Sequence, residues 1–352
     1  MNIRRVLLLA VSVLICFAAA AFPQQAVDST LARLNALPPD ERQTALVKGA
    51  KDERLVEWYA TLQLEDGKAI IEAFRQRYPF LEVKYTRGGG GRNVNRVVTE
   101  HRAGLNKFDV LGGTSTSHVA LMQAGVIAHN MTPVRKEIRD GFMDAEGYRV
   151  APFTYALVIG YNSRAVAKEQ RPRSYEELLE PKWKGQIGLE AAGYEWLAAM
   201  IDTMGEEKAL AFARKLATQN LRVQQGSSLL AQQMMAGEFN VLIDALHYQI
   251  ENYKKRGAPV DYVLPDPLII KDPSAIWLAK YSPHPHAAAL LVDFLFSHEA
   301  QEVYARQNRL VARKDMEWRF PQKLPNRIYV LSVDKWAPRY NELIGLFDKI
   351  FR

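Results

Sequence analysis

Residues 55–91 read LVEWYATLQLEDGKAIIEAFRQRYPFLEVKYTRGGGG, and this stretch decides the fold class. Its first five residues form an apolar run that predicts a strand, and the apolar residues between 70 and 78 recur at helical spacing. Residues 81–85 alternate between apolar and polar, which predicts a second strand before the glycines at 88–91. A strand, a helix and a strand in this order predict two parallel neighbours in a sheet that helices cover.

The alternation of strands and helices continues along the chain. Apolar runs at 108–111, 156–161 and 241–244 predict further strands, with helical patterns between them. No linker rich in Gly and Ser divides the sequence, so two lobes joined by extended crossings fit better than two independent domains. We expect crossings near 150–156 and 264–274. The fold class is α/β, with a mixed, mostly parallel sheet flanked by helices in each lobe.

The first residues have the features of an export signal. Arg4 and Arg5 precede an apolar run at 6–17, and small residues follow at 18–21. The run is too short to span a bilayer comfortably. We therefore expect a signal peptide at 1–21 that is cleaved during export to the periplasm, with an uncleaved anchor as the alternative.

Cysteine usage and charge narrow the classes of partner. Cys16 is the only cysteine and lies inside the export segment, so the exported chain is expected to have no disulfide and no cysteine-based metal site. The formal net charge is +7, and the basic residues are scattered apart from short clusters such as Lys254-Lys255-Arg256. This balance favours an anionic ligand, and the alternative is that the basic residues form ordinary solvated faces, which explain most such charge. No basic stripe interleaved with aromatic residues indicates a nucleic-acid partner.

Sequence motifs of enzymes are missing from the chain. His298-Glu299 has no second histidine at zinc-protease spacing, and no Gly-x-Ser-x-Gly motif occurs. The glycines at 88–91 lack the spacing and the lysine of a phosphate-binding loop. We therefore expect a protein that is not an enzyme and that carries no cofactor.

Two segments resemble a known family when their order and spacing are taken together. Residues 181–187 read PKWKGQI, and residues 284–301 read HPHAAALLVDFLFSHEAQ. With Phe108-Asp109-Val110 and the strand at 156–162, they resemble the family-1 extracellular solute-binding proteins over roughly residues 50–310. These proteins are the receptors of ABC importers. The likeness is to the group that binds ferric ion or small anions with the type II periplasmic-binding fold.

The resemblance implies two lobes that close over a small molecule or ion about a hinge. It also implies a permease of the inner membrane as partner, and we expect a monomer. A sensor or scaffold protein with the same fold is an alternative. The expected organisation is a signal peptide at 1–21, an N-terminal helical preamble at 22–52, a first lobe at 53–152 plus about 274–315, and a second lobe at 153–273 plus about 316–352.

Candidate ligand-binding residues of the first lobe follow predicted strands, because ligands of open α/β sheets bind beyond the carboxyl ends of strands. Glycines at a helix start let an anion approach unpaired amides closely; the alternative is a turn that needs positive φ. Hydroxyls after the third strand can donate to a ligand or cap a helix. The candidates are Thr61, Arg87, Gly89, Gly90, Gly91, Thr114 and Ser115.

Three candidates belong to the second lobe. Tyr194 stands at a predicted helix start, where it faces the cleft or packs in the core. His247 and Tyr248 follow the strand at 241–244. His247 either hydrogen-bonds a ligand or has a structural role.

The resemblance also raises the question of ferric ion. Relatives that hold ferric ion use two adjacent tyrosines at the place of His247-Tyr248, and one tyrosine is missing here. The glutamate expected near Thr114 and the histidine expected near Thr61 are absent as well. Ferric ion needs several anionic oxygen ligands. A ferric receptor that uses His247 and Tyr248 and completes its site with exogenous anions is therefore the alternative to a receptor for a small anionic or chelated solute.

Overall fold

The structure is a computed structural model that describes residues 26–271 and 274–352, without the side chains of residues 333 and 334. The predicted signal peptide at 1–21 lies outside the described residues. Among the helices of the described part, none has the length and apolar character needed to cross a bilayer.

Six strands form the first sheet. They are β1 (Leu55–Ala60), β2 (Glu82–Arg87), β3 (Val110–Thr114), β4 (Val150–Thr154), β11 (Ser274–Leu278) and β12 (Leu310–Val311). Their spatial order is β12-β4-β11-β3-β1-β2. β1 pairs in parallel with β2 and β3, as the opening stretch of the sequence predicts, whereas β11 runs antiparallel to β3 and β4.

Seven strands form the second sheet. They are β5 (Ala156–Asn162), β6 (Ile187–Glu190), β7 (Arg222–Gln224), β8 (Val241–Leu246), β9 (Val260–Val263), β10 (Leu268–Ile270) and β13 (Ile328–Val330). The order is β13-β10-β5-β8-β6-β7, and β9 pairs with β5. β6 lies parallel to β7 and β8, while β5 is antiparallel to each of its neighbours.

The predicted α/β class with two mixed sheets is confirmed, but the share of parallel pairing is smaller than expected. Of the strand pairings in the described residues, five are parallel and six are antiparallel. The cause is the crossing strands β4, β5, β10 and β11. Each lies next to a crossing between the sheets, and every antiparallel pairing includes at least one of them.

Helices cover both sheets. They are α1 (Asp28–Asn35), α2 (Pro39–Glu53), α3 (Leu64–Arg77), α4 (Gly90–Arg102), α5 (His118–Ala124), α6 (Tyr194–Met204), α7 (Glu206–Ala217), α8 (Ser227–Ala236), α9 (His247–Lys255), α10 (Pro285–Leu295), α11 (His298–Arg306), α12 (Val333–Trp336) and α13 (Tyr340–Phe351). We call the first sheet with its helices the first lobe, and the second sheet with its helices the second lobe.

The N-terminal helices α1 and α2 pack on the first lobe. Leu31 and Leu46 are buried in its core, and burial of such a side chain contributes about 1.5–3 kcal/mol. Arg42 of α2 forms an ion pair with Asp293 of α10, and the Thr132 hydroxyl donates to the same carboxylate at 2.7 Å. The helical segment before β1 is therefore part of the packing of this lobe.

Three crossings join the two sheets in the described part of the chain. Only Tyr155 separates β4 from β5, residues 271–273 lie between β10 and β11, and residues 312–327 lie between β12 and β13. The first two crossings are hydrogen-bonded to each other. The Lys271 amide donates to the Tyr155 carbonyl at 2.9 Å, and the Thr154 hydroxyl donates to the Lys271 carbonyl. The first two of the three crossings thus lie side by side.

A histidine at the other end of the first sheet gives the fold a pH-dependent contact. Asp109 is fully buried and accepts hydrogen bonds from the Glu57 amide at 2.7 Å and the Ser282 hydroxyl at 2.6 Å. His284 Nδ1 lies 2.9 Å from its carboxylate. The hydrogen bond to Asp109 raises the pKa of His284, against the effect of burial, and the charge of Glu53 adds to the increase.

We predict that His284→Gln destabilises the protein more at low pH than at high pH. A raised pKa in the folded state stabilises fully below the unfolded pKa, and this contribution is lost as the pH rises through the folded value. Urea unfolding at about pH 5.5 and about pH 8.5 brackets the ordinary histidine pKa of about 6.5. His298→Gln is the control, because its side chain is 63% exposed. An equal loss at both pH values would contradict the prediction.

Candidate functional site

A cleft of about 1090 Å³, open to solvent, lies between the two lobes beside the crossings. The first lobe supplies the start of α3 and the end of β2, and the second lobe supplies the starts of α8 and α9. Both sets lie after the carboxyl ends of strands, as expected for open α/β sheets. The lining residues are Gln63, Leu64, Glu65, Asp66, Arg87, Ser228, Gln232, Tyr248, Gln249, Asn252, Tyr253 and Arg256.

Guanidinium groups face this cleft from both lobes. Arg87 lies at the end of β2 in the first lobe, and Arg256 follows α9 in the second lobe; both are exposed. Within the described residues neither of them forms an ion pair, so both remain available to a ligand. Two such groups can bind carboxylate or phosphate oxygens through charge-assisted hydrogen bonds.

A third guanidinium, Arg309, is already engaged at the back of the cleft. Its side chain is 3% exposed and forms a 2.8 Å ion pair with Asp66. Its Cζ lies 4.3 Å from the ring centre of Phe153 and 4.5 Å from that of Tyr248. Because Phe153 belongs to the first lobe and Tyr248 to the second, this stack spans the two lobes.

Tyr248 presents its ring to the cleft and to the hinge. Its ring centre lies 5.2 Å from that of Tyr155 in the first crossing. Burial raises the pKa of Tyr248, although the nearby charge of Arg309 acts in the opposite direction. The hydroxyl can donate a hydrogen bond to a ligand.

His247 does not line the cleft in this structure. It is 1% exposed, and its Nδ1 accepts a hydrogen bond from the Ala156 amide at 2.9 Å. Burial lowers the pKa of His247 to about 3, so the ring is neutral. Of the two roles left open by the sequence, the geometry matches the structural one: His247 fixes the start of α9 to the first residue of β5.

A charged group lies where the second crossing leaves the second sheet. Lys271 Nζ lies 3.3 Å from Glu195 Oε2, and its ammonium sits 5.8 Å from the ring centre of Tyr155. Behind this pair, burial raises the pKa of Asp244 to about 7, and the nearby Glu190 carboxylate adds to the increase. The Glu190 amide partly offsets it by donating to Asp244 at 3.2 Å. The crossing thus carries a compensated pair beside a carboxyl whose pKa is raised by burial.

The glycine stretch is built differently from the expectation. α4 begins at Gly90, within the glycine stretch itself, and none of the four glycines has positive φ. A Cβ at Gly88 would lie 2.0 Å from Asn93 Oδ1, whereas nothing lies within 4 Å of Gly89 or Gly91. Buried Asn93 leaves no space for a side chain at position 88, and this explains the glycine there. The absence of a side chain at the other two positions leaves the helix start open.

The structure brings some of the remaining candidates together and separates others. A Cβ at Gly90 would lie 3.5 Å from the Thr114 hydroxyl, so the helix start and the end of β3 are adjacent. Ser115 is buried, and Thr61 lines a small cavity beneath the first-lobe edge of the cleft. Tyr194 lies edge-on against Phe347 of the C-terminal helix, at 5.2 Å between ring centres, which is a packing position.

Several cleft residues have no counterpart among the sequence candidates. Ser228 and Gln249 are hydrogen-bonded to each other at 3.0 Å across the starts of α8 and α9. The strand-end rule points to Ser228 only if β7 is recognised, and β7 has three residues. Arg256 belongs to the basic cluster at 254–256, which is visible in the sequence. It follows a helix, so the strand-end rule does not select it. Arg309 carries no local signal at all, because its partner Asp66 lies 243 residues away.

Comparison with known proteins identifies the class. Residues 108–333 match the family of bacterial extracellular solute-binding proteins, and the chain belongs to that family. The resemblance seen in the sequence is confirmed, and the chain is a solute-binding protein with the fold of binding proteins. An uncharacterized protein of Haemophilus influenzae is 24% identical over 254 residues, which cover 68% of this chain and 72% of that protein.

Two solved structures share the two-lobed architecture. Iron-bound HitA from Pseudomonas aeruginosa superposes with a TM-score of 0.71 at 21% identity, over 84% of this chain and 99% of HitA. AfuA from Actinobacillus pleuropneumoniae, solved with exogenous fructose-6-phosphate, gives 0.70 at 21% identity, over 84% of this chain and 98% of AfuA. At this level of identity the likeness establishes the type II periplasmic-binding fold.

We predict opposite effects of alanine at two of the glycines. Gly88→Ala should lower the free energy of unfolding by about 1–3 kcal/mol, because the new methyl displaces Asn93 from its buried position. Gly91→Ala meets no neighbour and lies inside the first turn of α4, so it should be neutral or stabilise by at most about 1 kcal/mol. Urea unfolding of the two variants measures both, and equal effects would contradict the steric explanation.

Proposed function

We propose that this protein is the exported, periplasmic receptor of an ABC importer. It captures a small anionic or chelated solute between its lobes by hinge closure, and it presents the closed form to a permease in the inner membrane. Membership in the solute-binding family and the two-lobed fold support this proposal. The basic and apolar start of the sequence supports export through a cleaved signal at 1–21.

The observation that carries the choice of ligand is the pair of free guanidinium groups in the cleft. Arg87 belongs to one lobe and Arg256 to the other, and both line the same open space. Ser228, Gln249 and Asn252 add neutral donors beside them. An anion with several oxygens can therefore be contacted from both sides at once, which is what a ligand must do in order to favour the closed form.

The same proposal covers the organisation of the chain. The first lobe spans 53–152 plus about 274–315, with the helices before residue 53 packed on it, and the second lobe spans 153–273 plus about 316–352. We propose a monomer that has no enzymatic activity. Hydrolysis of ATP would belong to other subunits of the importer.

The named relatives suggest two kinds of cargo. AfuA was solved with a sugar phosphate and HitA with iron. A sugar phosphate suits the cleft directly, because its phosphate can bind both guanidinium groups. Bare ferric ion suits it less well. Among the described residues no three His, Cys, Asp or Glu side chains form a metal-binding group, and burial raises the pKa of Tyr248. A ferric chelate with a net negative charge fits the same cleft as an anion.

We predict that Arg87→Ala weakens binding of anionic solutes about tenfold or more, because one charge-assisted hydrogen bond is worth about 1.5–3 kcal/mol. Isothermal titration calorimetry with inorganic phosphate, fructose 6-phosphate and ferric citrate gives the dissociation constants. The matched control is Arg75→Ala, an exposed arginine near the end of α3 and outside the cleft lining. If Arg87→Ala and Arg75→Ala bind the same solutes equally well, the anion site lies elsewhere.

A separate experiment distinguishes a chelate from bare ferric ion. We predict that ferric citrate raises the melting temperature without producing the visible absorption of a tyrosinate–iron bond, because the raised pKa of Tyr248 disfavours its phenolate. At a hundredfold excess over the dissociation constant, a ligand adds about 2.7 kcal/mol of stability. A visible band that disappears in Tyr248→Phe would instead establish the ferric receptor.

A further inference from the structure

A second cavity, of about 700 Å³, lies at the other side of the interface between the lobes. It shares no lining residue with the cleft that contains Arg87. The first lobe contributes Thr116 and Val119, and α6 contributes Glu195 and Ala198. The remaining wall comes from the C-terminal segment: Leu331, Trp336, Ala337, Pro338, Tyr340, Asn341 and Leu343.

The C-terminal wall is held firmly in place. Asp202 of α6 accepts hydrogen bonds from Trp336 Nε1 at 2.8 Å and from Lys335 Nζ at 2.6 Å, and also from the Tyr329 hydroxyl. Arg339 bonds to Glu342 and to Glu206 of α7. A wall fixed by this many contacts is present before a ligand arrives, so binding does not have to order it.

The chemistry of the lining defines the kind of molecule that fits. Aromatic and aliphatic side chains make up most of the wall, with Trp336 and Tyr340 offering ring surfaces. The charge of Glu195 is compensated by Lys271 at 3.3 Å, so the cavity does not select for an ion. A carboxylate has about four acceptor positions, and the pair with Lys271 leaves others for an O–H or N–H donor.

We propose that this cavity is a second binding site that takes a small neutral ring compound carrying an O–H or N–H group. The ring packs against Trp336 and Tyr340, and its donor bonds to the Glu195 carboxylate. Most of the tail wall follows residue 333, where the match to the solute-binding family ends.

Indole and 1-methylindole test the site, because they differ in the N–H donor. Titration calorimetry and saturation-transfer NMR on the purified protein should show that indole binds, and that 1-methylindole binds more weakly. Val119→Glu and Asn341→Glu place a carboxylate on opposite walls, at positions exposed enough to leave the fold intact. Each should weaken indole binding about tenfold or more. Leu105→Glu is the matched control, since Leu105 is a 49% exposed apolar residue outside the cavity lining.

Failure to detect indole binding to the unmodified protein would overturn the proposal. Indole affinity that is unchanged in both Val119→Glu and Asn341→Glu would overturn it as well. Binding of fructose 6-phosphate, measured in the same preparations, keeps the two sites distinguishable. Loss of indole binding in the wall variants with retained sugar-phosphate binding supports two separate sites, whereas retained anion binding without any indole binding removes only this inference.

Discussion

Only Tyr155 separates β4 of the first sheet from β5 of the second sheet. The second crossing is hydrogen-bonded to this first crossing through Lys271. We infer that the lobes move relative to each other by rotation about the line of these two crossings, which is hinge motion. The strand ends of both sheets lie beside the line, and for that reason a ligand placed there is contacted by both lobes.

Interactions around the hinge connect the two lobes at the back of the cleft, whereas the front of the cleft is open to solvent. Arg309 is bound to Asp66 of its own lobe and stacks on Tyr248 of the other lobe. A desolvated cation–π contact contributes up to about 2 kcal/mol. The buried ring of His247 fixes the start of α9 to the crossing strand. Arg309 and His247 near the axis thus have partners within the protein, whereas the proposed anion site uses Arg87 and Arg256, which form no ion pair in the described residues.

The sequence predicts those parts of the fold that local patterns determine. The strands predicted at 81–85 and 156–161 are observed at Glu82–Arg87 and Ala156–Asn162, because apolar patterns act within a few residues. Short strands such as β12 and β7 owe their existence to neighbours far along the chain. The residues of the cleft likewise divide into those that local patterns predict and those that depend on distant contacts. Arg87 is found from the strand-end rule, while the Arg309–Asp66 pair depends on a contact across 243 residues that no local pattern encodes.

The positions of the two free arginines also explain how an anion can drive closure. We infer that in the empty protein the guanidinium groups of the two lobes repel each other as the lobes approach, so that their charges favour the open form. An anion between the two guanidinium groups attracts both of them, so the electrostatic interaction then favours the closed form. A shift from about 1:99 to 99:1 in favour of the closed form requires about 5.5 kcal/mol of differential binding. Two charge-assisted hydrogen bonds at about 1.5–3 kcal/mol each supply a large part of it. Only a ligand that bridges both lobes gains them together, and this makes closure selective for the occupied receptor.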